Sequence, residues 1–253
     1  MLRDFTKDRF DIIIQAGQSN SEGYGFGPVD APYEPNGRVW YLNGDFTISM
    51  AAEKATLNDI QSNFSLPFAR EYLNAGLLED GRDLLIVRSA VGGTGFLDNR
   101  WKPQDDLFLR MLDMTDTAVA LNPDNRIVAL LWHQGETDSS LHSSYETYYD
   151  NLSTLYRLTA ERYGVKDLPF VAGDFVHHWK DANSEICAPV IAAMRDVCRD
   201  CGGAFVETDG LKSNNQELSY HPLGWEDPIH FSRRSIYELG KRYFEAYRRV
   251  SGR

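Results

Sequence analysis

Four unbroken apolar runs punctuate the chain, and each breaks abruptly into small or polar residues. They are Ile12-Ile13-Ile14, Leu84-Leu85-Ile86-Val87, Ile127-Val128-Ala129-Leu130-Leu131-Trp132 and Leu168-Pro169-Phe170-Val171-Ala172. Runs rich in leucine and β-branched residues, without polar alternation, fit strands covered on both faces. Between them the period changes to that of a helix. Leu66 to Leu73 closes at Gly76, and Asp105 to Leu121 places Leu107, Phe108, Met111, Leu112, Thr115, Ala118 and Val119 on one face. A third helix starts near Ser143, whose spacing to Glu146 matches a capping box, and ends at Gly164. Ala182 to Arg199 and Ser232 to Val250 read as two more helices, and Ala204-Phe205-Val206 as a fifth strand. Arg38 to Leu42, ending in Asn43-Gly44, predicts a hairpin or edge excursion. Strands that alternate with helices predict an α/β fold, a five-stranded parallel sheet with helices on both faces.

Composition narrows this picture. The chain has 253 residues, no repeat and no linker-like tract, and is read as one domain over 1–253. With 42% hydrophobic and 25% charged residues it has the balance of a folded globular protein. A net charge of -11 argues against nucleic acid as the main partner. The first ten residues mix charges with apolar residues and offer no signal-type apolar core, and no run reaches the length of a membrane span. Three cysteines, Cys187, Cys198 and Cys201, are odd in number and confined to one segment. Together these features lead to the expectation of a cytoplasmic protein with no membrane partner, although a secreted chain with its leader trimmed would read the same. Cys198-Arg-Asp-Cys201 has redox-motif spacing but falls at the end of a helix and is read as structural or incidental.

Chemistry enters at the ends of the apolar runs. In open parallel sheets, ligands bind beyond the carboxyl ends of the strands. Ser19 follows the first run, Gly92 and Gly93 the second, Gln134 and Glu136 the third, and His177-His178 the fourth. The polar stretch from Thr208 to Phe231 is long for a connection and ends in Asp227-Pro228-Ile229-His230. A serine hydroxyl attacks an ester only when a base takes its proton and a third group holds that base in the right tautomer. Ser19, His230 and Asp227 supply those three types. The tetrahedral intermediate also needs donors aimed at its oxyanion. The amides of Ser19 and of Gly92 or Gly93, with the side-chain amide of Gln134, are the candidates. His177 and His178 beside Asp174 match no standard zinc spacing, so no metal is expected.

Gly17-Gln18-Ser19-Asn20, Ala90-Val91-Gly92-Gly93-Thr94, Trp132 to Asp138 and Asp227-Pro228-Ile229-His230 together resemble the ordered blocks of the SGNH hydrolases. The resemblance is to their sialate O-acetylesterase and acetylxylan esterase branch and spans about residues 10 to 235. It implies a three-layer α/β/α sandwich and a serine esterase that removes O-acetyl groups from carbohydrate, without metal or organic cofactor. Carried over by position, Ser19 is the nucleophile, His230 the base and Asp227 its acid, with Gly93 and Gln134 at the oxyanion. Glu136 is the rival for the acid in this branch. Gln18 and Asn20 of the first block, and Trp40, Phe64, His177 and Trp179 as ring-stacking or polar neighbours, are candidates for the sugar site. Two other readings compete: an esterase or thioesterase of the same fold acting on a non-carbohydrate acyl group, and a catalytically silent carbohydrate-binding protein.

Overall fold

The first apolar run becomes β1 (Arg9–Gly17), the middle strand of the sheet. A four-residue turn of helix, α1 (Ser19–Glu22), follows it directly, and then β2 (Val39–Leu42) and β3 (Ile48–Met50) form the hairpin that Asn43-Gly44 predicts. A two-residue ladder, β4 (Lys54–Ala55) with β5 (Ile60–Gln61), precedes α2 (Ser65–Asn74), β6 (Arg82–Arg88), α3 (Asp106–Ala120) and β7 (Arg126–His133). The chain continues through α4 (Glu136–Ser140), α5 (Tyr145–Tyr163), β8 (Phe170–Gly173), α6 (His177–Ala182) and α7 (Ser184–Asp200). It closes with β9 (Ala204–Val206), α8 (Asn214–Glu217) and α9 (Arg233–Ser251). The structure is a computed structural model and describes residues 3–57 and 59–252. Met1 and Leu2, where the N-terminal stretch read above begins, lie outside the described residues.

Among the described residues the main sheet has seven strands in the order β3-β2-β6-β1-β7-β8-β9, all parallel except β3 at the edge. It is wider than the five parallel strands expected. Val39 to Leu42 is not an excursion but pairs in parallel with Leu84 to Val87, and that pairing carries the antiparallel β3 outward. Alternate residues of the central strands face opposite layers, as the pleat requires. Ile13, Ile86, Ala129, Leu131 and Val171 pack beneath α2 and α9, whereas Ile14, Leu130, Trp132, Phe170 and Ala172 pack beneath α3, α5 and α7. Covering both faces is why these strands read as continuous apolar runs. The cap of α5 is Ser144, whose Oγ accepts the Thr147 amide proton at 3.2 Å, one residue later than the capping box predicts. Ser143 instead donates its amide to the Asp138 carbonyl.

At the amino end of β1, opposite the site, Asp11 is fully buried. It accepts from Arg82 Nε at 2.7 Å, Arg126 Nε at 2.7 Å and the Tyr72 hydroxyl at 2.7 Å. Burial pushes its pKa up, but the hydrogen bonds from Arg126, Tyr72 and Arg82 outweigh that and hold it below the ordinary carboxylate value. A carboxylate depressed in the folded state adds stability that is complete above its unfolded pKa and lost as pH falls through the folded one. Asp11→Ala is therefore expected to lower unfolding free energy at neutral pH by about 3–5 kcal/mol, the usual cost of stranding a buried partner charge. Urea denaturation of both proteins should show the deficit shrinking as pH falls below about 3.9, the ordinary Asp value. A deficit independent of pH would mean that the carboxylate charge is not what Asp11 contributes.

Candidate active site

The chain begins in the middle of the sheet, builds β2, β3 and β6 on one side, and then crosses to β7 on the other. The carboxyl end of β1 is thus the point where strand order reverses, the usual place for a ligand crevice. Three backbone bonds gather the strand ends there. Gln18 N–H donates to the His133 carbonyl at 2.9 Å, Val91 N–H to the Gly17 carbonyl at 3.0 Å, and Ser89 N–H to the Gln15 carbonyl at 3.0 Å. Gly17 has φ +121°, and a Cβ there would lie 2.1 Å from the His133 carbonyl oxygen, so only glycine permits the approach.

Ser19 opens α1 with its Oγ 2.8 Å from His230 Nε2. The other ring nitrogen, Nδ1, lies 2.7 Å from Asp227 Oδ1. A carboxylate is acceptor only, so Nδ1 carries the proton, Nε2 is the acceptor and the serine hydroxyl donates to it. The His230 ring stacks on Tyr24 with centroids 4.9 Å apart. Its backbone is clamped by Asn20, which donates to the Ile229 carbonyl at 3.0 Å and accepts the Phe231 amide proton at 3.2 Å. Residues 211 positions apart in sequence are thereby held in hydrogen-bond contact.

Asp227 is 2% exposed and fully engaged. Oδ1 also accepts the His230 amide proton at 3.1 Å, and Oδ2 accepts Asn214 Nδ2 at 2.8 Å and lies 3.1 Å from His221 Nε2. His221 Nδ1 accepts the Leu223 amide proton, so the proton of the neutral ring sits on Nε2 and points at Asp227. Burial pushes the Asp227 pKa up, yet the hydrogen bonds it accepts from His230 and Asn214 bring it below the ordinary value.

Glu136, the rival acid, is also buried, with Oε1 accepting from Asn20 Nδ2 at 2.7 Å and Oε2 without a hydrogen-bond partner among the described residues. Burial raises its pKa, opposed by the Asn20 bond. It makes no hydrogen bond to His230, so between the two carboxylates the geometry pairs the imidazole with Asp227.

Two of the oxyanion candidates are otherwise occupied. Gln134 is fully buried, and its Nε2 donates to Asp138 Oδ2 at 2.7 Å, with the Thr94 carbonyl and Gln18 Oε1 each at 3.2 Å. Asp138 in turn accepts the amide protons of Phe96 and Leu97 at 2.9 Å. The third block therefore ties the glycine loop to the first block and does not present the Gln134 amide to a substrate. Gly92 N–H donates to Glu22 Oε2 at 2.8 Å. The amides of Ser19 and Gly93 meet no acceptor among the described residues, and Gly93 is exposed with φ +69°. Gln18 adds a third donor. Its Oε1 accepts the Thr137 amide proton at 3.1 Å, which fixes the amide orientation and leaves Nε2 without an acceptor among the described residues, in the cleft that Gln18 lines.

That cleft, about 610 Å³, is bordered by Ser19, His230, Tyr24, Gly93, Glu136 and Leu141 among others. The aromatic and histidine candidates lie elsewhere. Trp40 packs with Phe5 and donates to Asp83 at 3.2 Å, and Phe64 is fully buried against Tyr243. Trp179 packs on Phe175, and His177 contacts Lys180 and Asp209. None of the four borders the cleft, because their apolar or charged neighbours in the layers and loops claim them first. Sequence reasoning missed Tyr24, Glu22, Asn214 and His221. The one available signal was Ser213-Asn214-Asn215-Gln216, a capping box that initiates α8 inside the long loop and aims Asn214 at Asp227.

A serine, an imidazole and a carboxylate stand in relay at the crevice of a doubly covered parallel sheet, an arrangement with the chemistry that ester hydrolysis requires. The sequence matches the family described as carbohydrate esterase, sialic acid-specific acetylesterase, over residues 9–249, and the chain belongs to that family. It is an O-acetyl sugar esterase, a carboxylic ester hydrolase. A probable 9-O-acetyl-N-acetylneuraminic acid deacetylase of Escherichia coli K12 is 24% identical, with 69% of each chain covered. Among solved structures, NanS superposes with a TM-score of 0.79 at 19% identity, covering 96% of this chain and 98% of that one. A protein from Arabidopsis thaliana gives 0.73 at 21% identity, covering 94% and 97%.

Proposed function

We propose that deacetylation runs through an acyl-enzyme on Ser19. As the hydroxyl attacks the acetyl carbonyl, His230 Nε2 takes its proton. The ring, charged only transiently, is stabilised and oriented by Asp227. The carbonyl oxygen becomes an oxyanion facing the amides of Ser19 and Gly93, with Gln18 Nε2 as a third donor. Collapse releases the sugar hydroxyl, protonated by His230, and water then enters along the same path to free acetate. No step calls on a metal or organic cofactor. The observation that carries this reading is the unbroken relay from Ser19 Oγ through both ring nitrogens of His230 to Asp227, at 2.8 and 2.7 Å.

The sugar is the finer question. Acetate release from O-acetylated N-acetylneuraminic acid, xylo-oligosaccharides and manno-oligosaccharides, set beside 4-nitrophenyl acetate and a longer acyl homologue, tests it. We expect acetyl sugars to be cleaved and the longer acyl ester to react more slowly. Preference for the long acyl chain would favour the non-carbohydrate esterase instead. The absence of turnover, together with no labelling by a serine-directed phosphonate, would leave only a binding protein.

A further inference from the structure

Asp227 serves two imidazoles. His230 Nδ1 meets Oδ1 at 2.7 Å, and His221 Nε2 meets Oδ2 at 3.1 Å. The second ring, 7% exposed, is held on several sides. Its Nδ1 accepts the Leu223 amide proton at 3.1 Å, Trp225 stacks on it with centroids 5.6 Å apart, and Phe26 meets it edge-on at 5.2 Å. The Leu223 bond fixes the tautomer, so the proton on Nε2 is donated to Asp227.

Satisfying Oδ2 does not by itself call for this ring. Asn214 already donates to that oxygen at 2.8 Å. Asn214 is itself anchored, since its Nδ2 also reaches the Tyr24 carbonyl at 2.8 Å and its Oδ1 accepts the Phe26 amide proton at 3.1 Å. Among the described residues Asp227 is paired with the two histidines and with no lysine or arginine. A cation in that place would cancel the charge that must steady an imidazolium during the reaction. A neutral donor draws off only part of it, and hydrogen bonds in series polarise one another.

We propose that His221 is a positioning residue of the deacetylation relay: its N–H fixes the plane of the Asp227 carboxylate and tempers how strongly that carboxylate holds a proton on the His230 ring. This rests on the esterase reading of the cleft. Other titratable groups stand near the relay. Tyr24 stacks on His230, Glu136 is joined to its backbone segment through Asn20, Glu22 borders the cleft, and Glu226 borders the recess beside His221. Substitutions at residue 221 change none of them.

The test follows kcat/KM for 4-nitrophenyl acetate from acid pH to its plateau, which reports the ionisation of the essential base in the free enzyme. His221→Phe keeps a ring against Trp225 and Phe26 and removes the donor. Its acid limb should move up by about half a pH unit or more, since Oδ2 has lost one of two donors, and its plateau should fall about tenfold. His221→Asn offers an oxygen to the Leu223 amide but is too short to reach Oδ2. It should move the limb the same way, and it covers the case in which the phenylalanine variant fails to fold. His221→Gln, whose amide nitrogen can stand where Nε2 stood, should bring the limb back toward its wild-type position.

A merely structural role would lower the plateau and leave the limb in place. That result in folded protein overturns the proposal, and so does a limb that stays displaced in His221→Gln. Nitrogen NMR of the wild type with isotope-labelled histidine gives a reading free of any variant: His221 should carry its proton on Nε2, and the opposite tautomer overturns the proposal as well. If the wild type neither hydrolyses 4-nitrophenyl acetate nor takes a serine-directed phosphonate, the esterase reading fails and this role goes with it. If it does both and the limb ignores residue 221, only the role of His221 falls.

Discussion

Ser19→Ala is expected to reduce kcat for acetate release by about 10⁵ to 10⁶, the scale seen when a serine of a working triad is removed. The fold should be unchanged. The turn that carries residue 19 is fastened by backbone, through Gln18 N–H on the His133 carbonyl and Val91 N–H on the Gly17 carbonyl, and none of those bonds uses the hydroxyl. Among the described residues the one side-chain hydrogen bond of Ser19 Oγ is with His230 Nε2, so alanine deletes the nucleophile and little else. The amides of Ser19 and Gly93 remain, and a residual rate about 10³ above water is the expected floor. Far-ultraviolet circular dichroism, thermal unfolding and a phosphonate labelling assay check the three parts of this result. A folded variant that still turned over, or still took the label, would place the nucleophile elsewhere.

Much of this site was legible in the chain because the residues that carry it end long apolar strands, and strand ends are what hydrophobic periodicity locates best. Ile12 to Ile14, Leu84 to Val87 and Ile127 to Trp132 each stop where a polar block begins, and in a parallel sheet those stops share one edge. The width of the sheet was less legible. Whether Val39 to Leu42 stands apart or joins β6 is decided by a pairing with residues more than forty positions away, which local pattern does not encode. Two of the four oxyanion candidates, Gly92 and Gln134, are engaged elsewhere for a related reason. Gln134 has the right chemistry, but its protons are consumed by Asp138, the Thr94 carbonyl and Gln18, a competition visible only after packing. Aromatic residues chosen by type met the same limit, since Phe64 and Trp40 are apolar enough to be taken by the core. The loop from Thr208 to Phe231 hid most. Asn214 and His221 converge on Asp227 from 13 and 6 residues upstream without any periodicity to announce it.

Asp227→Asn and Glu136→Gln decide which carboxylate serves His230, and the first is expected to cost far more. Asp227 receives four donors, the ring and backbone N–H of His230 on Oδ1 and the N–H groups of Asn214 and His221 on Oδ2. An asparagine must turn its NH₂ toward one of these pairs. Against Oδ1 it opposes the His230 proton and drives the ring to the tautomer that cannot accept from serine. Against Oδ2 it opposes Asn214 and His221, and His221 cannot yield, because its Nδ1 already accepts the Leu223 amide proton. Either placement leaves a buried donor unmet, so a stability loss of about 1–3 kcal/mol should accompany a fall in kcat of about 10³ to 10⁴. Glu136 accepts the Asn20 proton on Oε1, Oε2 meets no other side chain among the described residues, and burial raises its pKa. A glutamine can keep its carbonyl oxygen on Asn20 and place its NH₂ where Oε2 stood, which limits the loss to about tenfold through one perturbed hydrogen bond. Steady-state kinetics of the two variants on one acetyl ester, normalised to folded protein, measures the contrast. A larger fall in kcat for Glu136→Gln would transfer the role to that residue, and His230 would then have to swing from Asp227 during the reaction.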